Sequence, residues 1–160
     1  MKNEKIVLVG FIVVCLLAGF LGSFFTASAI PTWYSGLNKP FFNPPNWLFA
    51  PVWTALYIMM AIAGFLAWKE GWGVKNKKNI KTALTLFFVQ LFLNFLWSVL
   101  FFGMKNPFLA FIEIIILWIF IILTTIQFYK ISKNAAYLMI PYILWVSFAT
   151  ILNYSIWILN

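Results

Sequence analysis

Five stretches of this chain are apolar over 20 residues or more, and they restrict the possible folds more than any other feature. They cover residues 6–28, 47–68, 82–103, 107–129 and 135–159. A helix of ~20 apolar residues crosses the ~30 Å hydrocarbon core of a bilayer. The stretches show no sustained period-two alternation, which disfavours a transmembrane β-barrel. The sequence therefore predicts an all-α integral membrane protein, with residues 1–160 forming a single domain of five transmembrane helices.

The composition agrees with a membrane protein. Hydrophobic residues make up 64% of the chain, charged residues make up 9%, and the mean hydropathy is +0.97. A water-soluble domain is usually about half apolar. The first stretch also has the features of a cleaved signal peptide, because Lys2 and Lys5 precede it and Ala27-Ser28-Ala29 resembles a cleavage site. Its apolar part is longer than the roughly 7–15 residues of such peptides, so we expect a retained helix.

The lysines are distributed unevenly between the two ends of the predicted bundle, and arginine is absent. Lys39 and Lys105 lie at one end, and the other lysines lie at the end that holds the amino terminus. Positive residues favour the cytoplasmic side, so we expect a cytoplasmic amino terminus and an outside carboxyl terminus. Nucleic-acid binding is not favoured, because these lysines occupy short connections. The lysines of the second group are Lys2, Lys5, Lys69, Lys75, Lys77, Lys78, Lys81, Lys130 and Lys133.

Several classes of reactive site are excluded by the side chains that the chain lacks. The absence of histidine rules out imidazole bases, imidazole haem ligation and zinc sites of the histidine type. The single cysteine, Cys15, lies within the first apolar stretch and cannot form an internal disulfide. Glu4, Glu70 and Glu113 are the only acids, and only Glu113 is at membrane depth. We therefore predict no catalytic residues and no metal site.

Glu113 lies about two turns into the fourth stretch, roughly 9 Å below the membrane surface. An ionisable side chain within a membrane is a functional candidate, for example in a proton relay. The alternative is a neutral carboxyl group bonded to a neighbouring helix. The sequence leaves both interpretations open.

Polar and aromatic residues share single faces on three of the predicted helices. Trp53 and Trp97 lie roughly 9 Å deep, whereas Asn94 and Trp145 lie near the midplane. Amide side chains that faced lipid would lack partners, so these faces must point inward. We expect the deep tryptophans and the amide to enclose a ligand cavity. The faces comprise Trp53, Tyr57, Met60 and Gly64; Gln90, Asn94, Trp97, Ser98 and Phe101; and Tyr142, Trp145, Ala149, Leu152 and Asn153.

The positions of the other tryptophans are explained without a ligand cavity. Trp118 lies in an aliphatic stretch and is predicted to contact lipid or another subunit. The remaining tryptophans lie at the ends of the stretches, where an aromatic belt is expected: Trp33, Trp47, Trp68, Trp72 and Trp157.

Small residues recur along the first stretch. Cys15, Gly19 and Ser23 are spaced four residues apart, which predicts either an internal helix contact or a dimer interface.

The connection at residues 29–46 is unusually rich in proline and aromatic residues. Proline restricts the backbone and aromatic rings offer flat contact surfaces, whereas a flexible tether is rich in Gly and Ser. We therefore predict a structured lid over the cavity, with Lys39 available to pair with an anionic group on a ligand. The prolines are Pro31, Pro40, Pro44 and Pro45, and the aromatic residues are Trp33, Tyr34, Phe41, Phe42 and the adjoining Trp47. The residues assigned to the lid are Trp33, Lys39, Pro40, Pro44 and Pro45.

A set of ordered motifs across all five stretches resembles the translocator protein / tryptophan-rich sensory protein family (TspO/MBR), in its bacterial form. The combination of these motifs is specific, although each is weak alone. The motifs are Trp33-Tyr34-x-x-Leu37-x-Lys39-Pro40, Pro44-Pro45, Pro51-Val52-Trp53-Thr54-x-Leu56-Tyr57, Gln90-Leu91-x-Leu93-Asn94-x-x-Trp97, Phe101-Phe102-Gly103 and Pro141-Tyr142-x-x-Trp145-x-x-Phe148-Ala149-x-x-Leu152-Asn153.

The resemblance implies a five-helix bundle, commonly a homodimer, that binds porphyrins such as protoporphyrin IX as ligands and needs no obligatory cofactor. Some members also bind cholesterol or benzodiazepine-type ligands. Trp53 and Trp145 would be the tryptophans implicated in light-dependent porphyrin breakdown by some bacterial members. The family's pocket residues fall on Tyr34, Trp53, Asn94, Trp97, Trp145, Ala149 and Leu152.

The last stretch departs from the vertebrate members of that family. The vertebrate cholesterol motif has a basic residue shortly after a tyrosine, whereas Tyr154 is followed by Ser155, Ile156, Trp157 and Ile158. High-affinity cholesterol recognition by this motif is therefore not expected. The departure fits a protein of a bacterial cytoplasmic membrane.

Three functions follow as hypotheses. The leading one is a receptor or sensor, in which a porphyrin stacks between Trp53, Trp97 and Trp145 and Asn94 orients it through a hydrogen bond. The second is light- and oxygen-dependent degradation of the porphyrin. The third is a transporter of small amphiphiles such as tetrapyrroles or sterols, with Glu113 as a proton-coupled group. The chain shows neither an internal repeat nor a pair of interrupted helices, which weakens the third hypothesis.

Overall fold

Five long helices form the protein in a computed structural model that describes residues 2–71 and 77–160. All five are long and apolar enough to span a membrane, and the described residues contain no strand. The predicted five-helix membrane fold is therefore confirmed. Trp72 and Lys75, which the sequence analysis placed near the membrane surface, lie outside the described residues. The helices are α1 (Lys2–Ala29), α2 (Phe49–Gly71), α3 (Lys77–Ser98), α4 (Pro107–Tyr129) and α5 (Lys133–Leu159).

Successive helices run antiparallel to one another. The α1–α2 loop, the α3–α4 turn and the last residues of α5 therefore lie at the same end of the bundle, which we call the lid end. At the opposite end, Glu4 of α1 and Lys69 of α2 form an ion pair of 2.9 Å. Ser132 caps α5 and also donates a hydrogen bond of 2.8 Å to Glu70. Two of the three acids therefore have structural partners at this end.

The half of the bundle remote from the lid is densely packed. Phe87 of α3 stacks on Phe128 of α4 at 5.8 Å between ring centroids, and both rings are fully buried. Gly64 of α2 allows the ring of Phe11 to approach, because a Cβ atom there would lie only 2.7 Å from that ring. A second, smaller cluster lies under the lid and contains Tyr34, Phe101, Ala110, Leu152 and Ile156.

Two local irregularities shape the helices near the second cluster. The last turn of α3 widens into a π-helical segment, Val99–Gly103, which turns Phe101 into the core. Pro141 lies inside α5, and the helix continues through it. Proline cannot donate the backbone hydrogen bond to Tyr137, so this turn lacks one of its internal bonds. The fully buried Tyr142 follows directly.

The small residues of α1 lie at a contact inside the subunit. Cys15 is buried, and Gly19 faces Tyr57 of α2 so closely that a Cβ atom would overlap its ring. Ser23, one turn further, is exposed. Of the two interpretations of this spacing, an internal helix contact is therefore the one that Cys15 and Gly19 make.

Candidate ligand pocket

A cavity of about 460 Å³ lies between the two clusters, on the lid side of the bundle. Side chains of α1, α2, α3, α5 and the lid form its walls. Its volume is within the ~300–1,000 Å³ typical of small-molecule sites. All seven residues that the sequence analysis assigned to ligand binding line it, namely Tyr34, Trp53, Asn94, Trp97, Trp145, Ala149 and Leu152.

The three deep tryptophans form separate parts of the wall. Each packs against a different set of rings: Trp53 against Tyr57 at 5.8 Å, Trp97 against Phe101 at 5.1 Å, and Trp145 against Phe148 at 5.6 Å. None of the ring contacts among the described residues joins two of these three indoles. The indole rings therefore surround space and do not fill it against one another.

Polar side chains of three helices form a hydrogen-bonded chain at the base of the cavity. The Tyr57 hydroxyl of α2 donates to Asn94 Oδ1 of α3. Asn94 Nδ2 in turn donates to the Tyr142 hydroxyl of α5 at 2.8 Å. The Asn94 amide thus has a tyrosine partner on each side, and a primary amide can make further hydrogen bonds beside these two. The two bonds fix the base of the wall, and the role of Asn94 in orienting a ligand stays a prediction.

A second polar contact joins α3, α5 and α4 nearer the lid. Trp97 Nε1 donates to Asn153 Oδ1 at 3.0 Å, and Asn153 Nδ2 donates to the Pro107 carbonyl at 2.8 Å. The third indole differs, because Trp145 Nε1 is buried and has no hydrogen-bond partner among the described residues. Buried donors are normally paired. Trp145 therefore borders the cavity while its N–H is an unpaired donor buried within the wall.

The cavity also reaches the membrane-facing surface between α1 and α2. Leu16, Phe20 and Ser23 of α1 line it and are exposed on the outside of the bundle. Ala50 and Thr54 of α2 do the same on the other side of the gap. An apolar molecule dissolved in the bilayer can therefore meet the cavity without crossing the lid.

The lid is structured, as the proline and aromatic content predicted. It contains two short 3₁₀ turns, Tyr34–Gly36 and Asn46–Leu48. The Tyr34 ring is buried, and its hydroxyl donates to Asn43 Oδ1 at 2.7 Å. Burial raises the pKa of Tyr34 to about 12, against the smaller opposite effect of the bond to Asn43. The hydroxyl thus remains protonated at physiological pH.

Lys39 makes its contacts within the lid. Its Nζ donates to the carbonyls of Leu37 at 2.9 Å and Ser35 at 3.2 Å, and lies 5.0 Å from the centre of the Tyr34 ring. Lys39 therefore stabilises the lid itself, and no lysine among the described residues lines the cavity. Its pairing with an anionic group on a ligand stays a prediction. Four other lid residues, Trp33, Pro40, Pro44 and Pro45, also lie away from the lining, whereas Tyr34 and Asn46 contribute to it.

Asn38 and Asn160 fasten the lid to the end of α5. The Asn38 backbone N–H donates to Asn160 Oδ1 at 2.9 Å, and Asn160 Nδ2 donates back to the Asn38 carbonyl at 3.0 Å. The Asn38 side chain also donates to the Leu159 carbonyl at 3.2 Å. These contacts hold the middle of the lid over the bundle.

Replacing Asn160 with alanine is expected to speed the release of a bound ligand by roughly tenfold. The substitution removes the two hydrogen bonds to the lid, together with one to the Ile156 carbonyl of α5 that does not involve the lid. Each hydrogen bond is worth about 0.5–1.5 kcal/mol, and 1.4 kcal/mol corresponds to a factor of ten. Stopped-flow dissociation of a fluorescent ligand measures this rate. Ser155→Ala is the control, because the one hydrogen bond of Ser155 Oγ within the described part of the chain goes to the Ile151 carbonyl of its own helix. Equal release rates in both variants would show that these bonds do not restrain the ligand.

Some lining residues escaped the sequence analysis. Phe49 and Asn46 contribute to the wall at the start of α2, and Phe20 and Gly22 contribute from α1. Phe49 could have been found, because it lies four residues before Trp53 and so shares its face. The α1 residues gave no polar or aromatic pattern that separates a cavity wall from a lipid-facing surface.

Two further predictions concern residues outside the cavity. Trp118 is 37% exposed, as a lipid contact would be, but its Nε1 also donates to Ser147 of α5 at 2.8 Å. Glu113 is buried and does not line the cavity. Among the described residues, no group of three or more His, Cys, Asp or Glu side chains could hold a metal ion.

Comparison with known proteins gives consistent matches over nearly the whole chain. The model of the TspO/MBR family matches residues 11–158. The tryptophan-rich protein TspO of Archaeoglobus fulgidus is 49% identical over 153 residues, 96% of each chain. TspO of Chlorobaculum tepidum is 44% identical over 160 residues, covering 100% of this chain and 99% of the relative. The human translocator protein is 37% identical over 148 residues, covering 92% of this chain and 86% of the relative.

Proposed function

Because the chain belongs to the TspO/MBR family, we propose that it is a membrane receptor that binds a flat, largely apolar tetrapyrrole such as protoporphyrin IX. One observation carries the proposal: a cavity of about 460 Å³ lies beneath a structured lid and is walled by tryptophans of three helices. Planar π-systems stack favourably on indole rings. The proposed contact residues are Tyr34, Trp53, Asn94, Trp97, Trp145, Ala149 and Leu152.

The polarity of the cavity supports a ligand with a few hydrogen-bond acceptors on an apolar body. Trp145 Nε1 is a buried donor without a protein partner, and Asn46 adds an exposed amide at the mouth. The ring nitrogens or carboxylates of a porphyrin are acceptors of this kind. The chain has no histidine, so a metal-free porphyrin fits better than haem.

The proposed route of entry is the gap between α1 and α2. Porphyrins partition into bilayers, and Phe20 and Leu16 present the cavity wall at the lipid-facing surface. The Asn38–Asn160 contacts then restrict escape on the lid side. We further propose a bacterial cytoplasmic membrane, a cytoplasmic amino terminus, an outside carboxyl terminus and a homodimeric assembly.

A second candidate function is light- and oxygen-dependent breakdown of the bound porphyrin. Trp53 and Trp145 both line the cavity, so an excited porphyrin and oxygen would meet two oxidisable rings there. The transport hypothesis has less support, because Glu113, its proposed proton-coupled group, lies outside the cavity lining. Following the porphyrin absorbance of the complex under illumination separates receptor from degrading enzyme: a stable band under light excludes turnover.

Titration with protoporphyrin IX in the dark tests the receptor proposal. We expect saturable quenching of tryptophan fluorescence at one porphyrin per chain, because three indoles lie against the ligand. Trp118→Phe is the matched control, since Trp118 lies outside the cavity, and it should retain the same affinity. Quenching that rises linearly with porphyrin, without saturation, would indicate membrane partitioning alone and contradict a receptor.

A further inference from the structure

A second concavity opens at the lid end of the bundle. Its volume is about 390 Å³, and it shares no lining residue with the cavity described above. Four parts of the fold meet there, namely the lid, the α3–α4 turn, the start of α4 and the end of α5. We call this concavity the α4–α5 groove, and its main lining residues are Trp33, Leu37, Lys105, Asn106, Phe108 and Trp157.

The apolar wall of the groove continues along the outer surface of the bundle. Phe108 of α4 packs against Trp157 of α5 at 4.9 Å between ring centroids, and both side chains are exposed. The Trp157 ring also stacks on Phe111 at 5.7 Å, and Phe111 contacts Tyr154 at 5.2 Å. Phe108 and Trp157 lie near the ends of their helices, at the height where a membrane surface is expected. The strip of rings therefore leads from the groove toward the hydrocarbon.

The polar wall of the groove carries a positive charge without a counter-ion. Lys105 is exposed, and its Nζ forms no ion pair or hydrogen bond with the described part of the chain. The acidic side chains lie elsewhere, because Glu4 and Glu70 are at the remote end and Glu113 is buried in α4.

An amide donor lies next to this lysine. Asn106 Oδ1 caps α4 by accepting a hydrogen bond of 3.0 Å from the Leu109 N–H. Its Nδ2 has two hydrogens, and neither has a partner in the part of the chain that the structure describes. The groove therefore offers one cation and one amide donor to an anionic group.

The backbone of the α3–α4 turn holds Lys105 in place. Its φ is 53°, in the left-handed region that side chains other than those of Asn and Asp rarely adopt. The turn is closed on both sides, because the Met104 N–H donates to the Val99 carbonyl at 2.7 Å and the Asn106 N–H donates to the Leu100 carbonyl at 3.2 Å. Lys105→Asn therefore removes the charge and introduces a residue that suits this backbone better.

We propose that the α4–α5 groove binds one anionic phospholipid of the leaflet at the lid end. Its phosphate lies against Lys105 Nζ and Asn106 Nδ2, because a lysine at a membrane surface attracts anionic lipids. An acyl chain follows the strip of Phe108, Phe111 and Trp157, whose rings offer van der Waals contact. The lipid thereby bridges the lid, α4 and α5. This site is independent of the ligand that the cavity binds.

The charges around the groove favour an anionic headgroup over a zwitterionic one. Phosphatidylcholine also has a phosphate, but its ammonium group would find no acidic side chain here. Phosphatidylglycerol has a net negative charge, which complements Lys105. An ordinary aromatic belt would contact both lipids equally, so preference for the anionic lipid separates a specific site from a belt.

Photo-crosslinking of the full chain in phosphatidylcholine nanodiscs tests the site. The probe is a small fraction of phosphatidylglycerol with a diazirine on one acyl chain, and phosphatidylcholine with the same chain is the reference. Mass spectrometry should find the anionic probe on Phe108, Phe111 or Trp157 at least about fivefold above the reference, the preference that one surface lysine supplies. Excess unlabelled phosphatidylglycerol should remove this difference, whereas inorganic phosphate should not.

Two matched substitutions show whether Lys105 is responsible. Lys105→Asn should lower labelling by the anionic probe to the level of the reference. Its unfolding temperature in detergent should not fall, because asparagine tolerates the left-handed backbone. Lys81→Asn is the control, since Lys81 is an exposed lysine of α3 at the remote end, and labelling of the groove should match wild type.

Four results would overturn the proposal. Equal labelling of these rings by the two lipids in wild type would indicate an ordinary membrane contact. Undiminished preference for the anionic probe in Lys105→Asn would remove the lysine from the site. Competition by inorganic phosphate would indicate a site for a soluble anion. An absence of label on these rings in wild type would mean that no lipid occupies the groove, as when a second copy of the chain covers it.

Discussion

Replacing Ala149 with tryptophan is expected to abolish porphyrin binding while leaving the bundle nearly as stable as the wild type. Ala149 lies on the cavity wall between Trp145 and Leu152, so a large side chain there has empty space to enter. We expect affinity to fall at least about 100-fold, which corresponds to ~2.7 kcal/mol. The stability change should stay below the ~1–3 kcal/mol that overpacking costs in a filled core.

Ala136 provides the matched control for this substitution. It lies on the same helix, α5, but in the dense half of the bundle, where it is 3% exposed. Ala136→Trp has no space to enter and should destabilise the protein by several kcal/mol, or prevent folding. Thermal unfolding in detergent and porphyrin titration measure both effects. Equal destabilisation by the two substitutions would mean that the region around Ala149 is packed and contains no cavity.

The double substitution Trp53→Phe with Trp145→Phe is expected to weaken protoporphyrin IX binding roughly thirtyfold. Each change exchanges an indole for a smaller ring, and the second also removes the unpaired N–H donor. Losses of about 0.5–1.5 kcal/mol for each stacking surface and for the hydrogen bond sum to ~2 kcal/mol. Phenylalanine keeps the aromatic packing with Tyr57 and Phe148, so the fold should survive.

The pair Trp118→Phe with Trp157→Phe is the control, since it removes the same number of indoles from outside the cavity. Affinity should then stay within about twofold of wild type. Isothermal titration or porphyrin absorbance avoids the loss of fluorescence signal that both double variants cause. An unchanged affinity in the cavity variant would refute the assignment of the site to these rings.

The fold was predictable because a helix that crosses a bilayer needs a minimum length of apolar sequence. The length of each apolar stretch therefore identifies a transmembrane helix. The predicted stretch 107–129 coincides with α4, and the other helices differ at their ends by a few residues. Helical periodicity also placed Trp53, Asn94 and Trp145 on inward faces. These predictions use only length and spacing, which are properties of a single helix.

Features that depend on neighbouring helices were not readable from the sequence. Trp53 and Tyr57 border open space, whereas Met60 and Gly64 on the same face of α2 are tightly packed. The sequence does not distinguish the two pairs, because all four residues follow the same helical spacing. Which half stays open depends on Gly19 and Phe11 of α1, whose contacts appear only when the helices assemble.

The partners of the charged and polar groups could not be read from the sequence either. Lys39 could be placed in the lid, but its carbonyl partners arise from the local turn at Tyr34–Gly36. Asn94 could be placed at the cavity, but its two tyrosine partners lie 37 and 48 residues away. The π-helical turn Val99–Gly103 has no sequence signal that we could identify.

The most direct test of the central claim is a structure of the protein with protoporphyrin IX in lipid. The account predicts a planar molecule between Trp53, Trp97 and Trp145, beneath Tyr34 and with an acceptor atom near Trp145 Nε1. A structure in which these indoles pack on one another, or in which the porphyrin lies only on the outer surface of the helices, would contradict it.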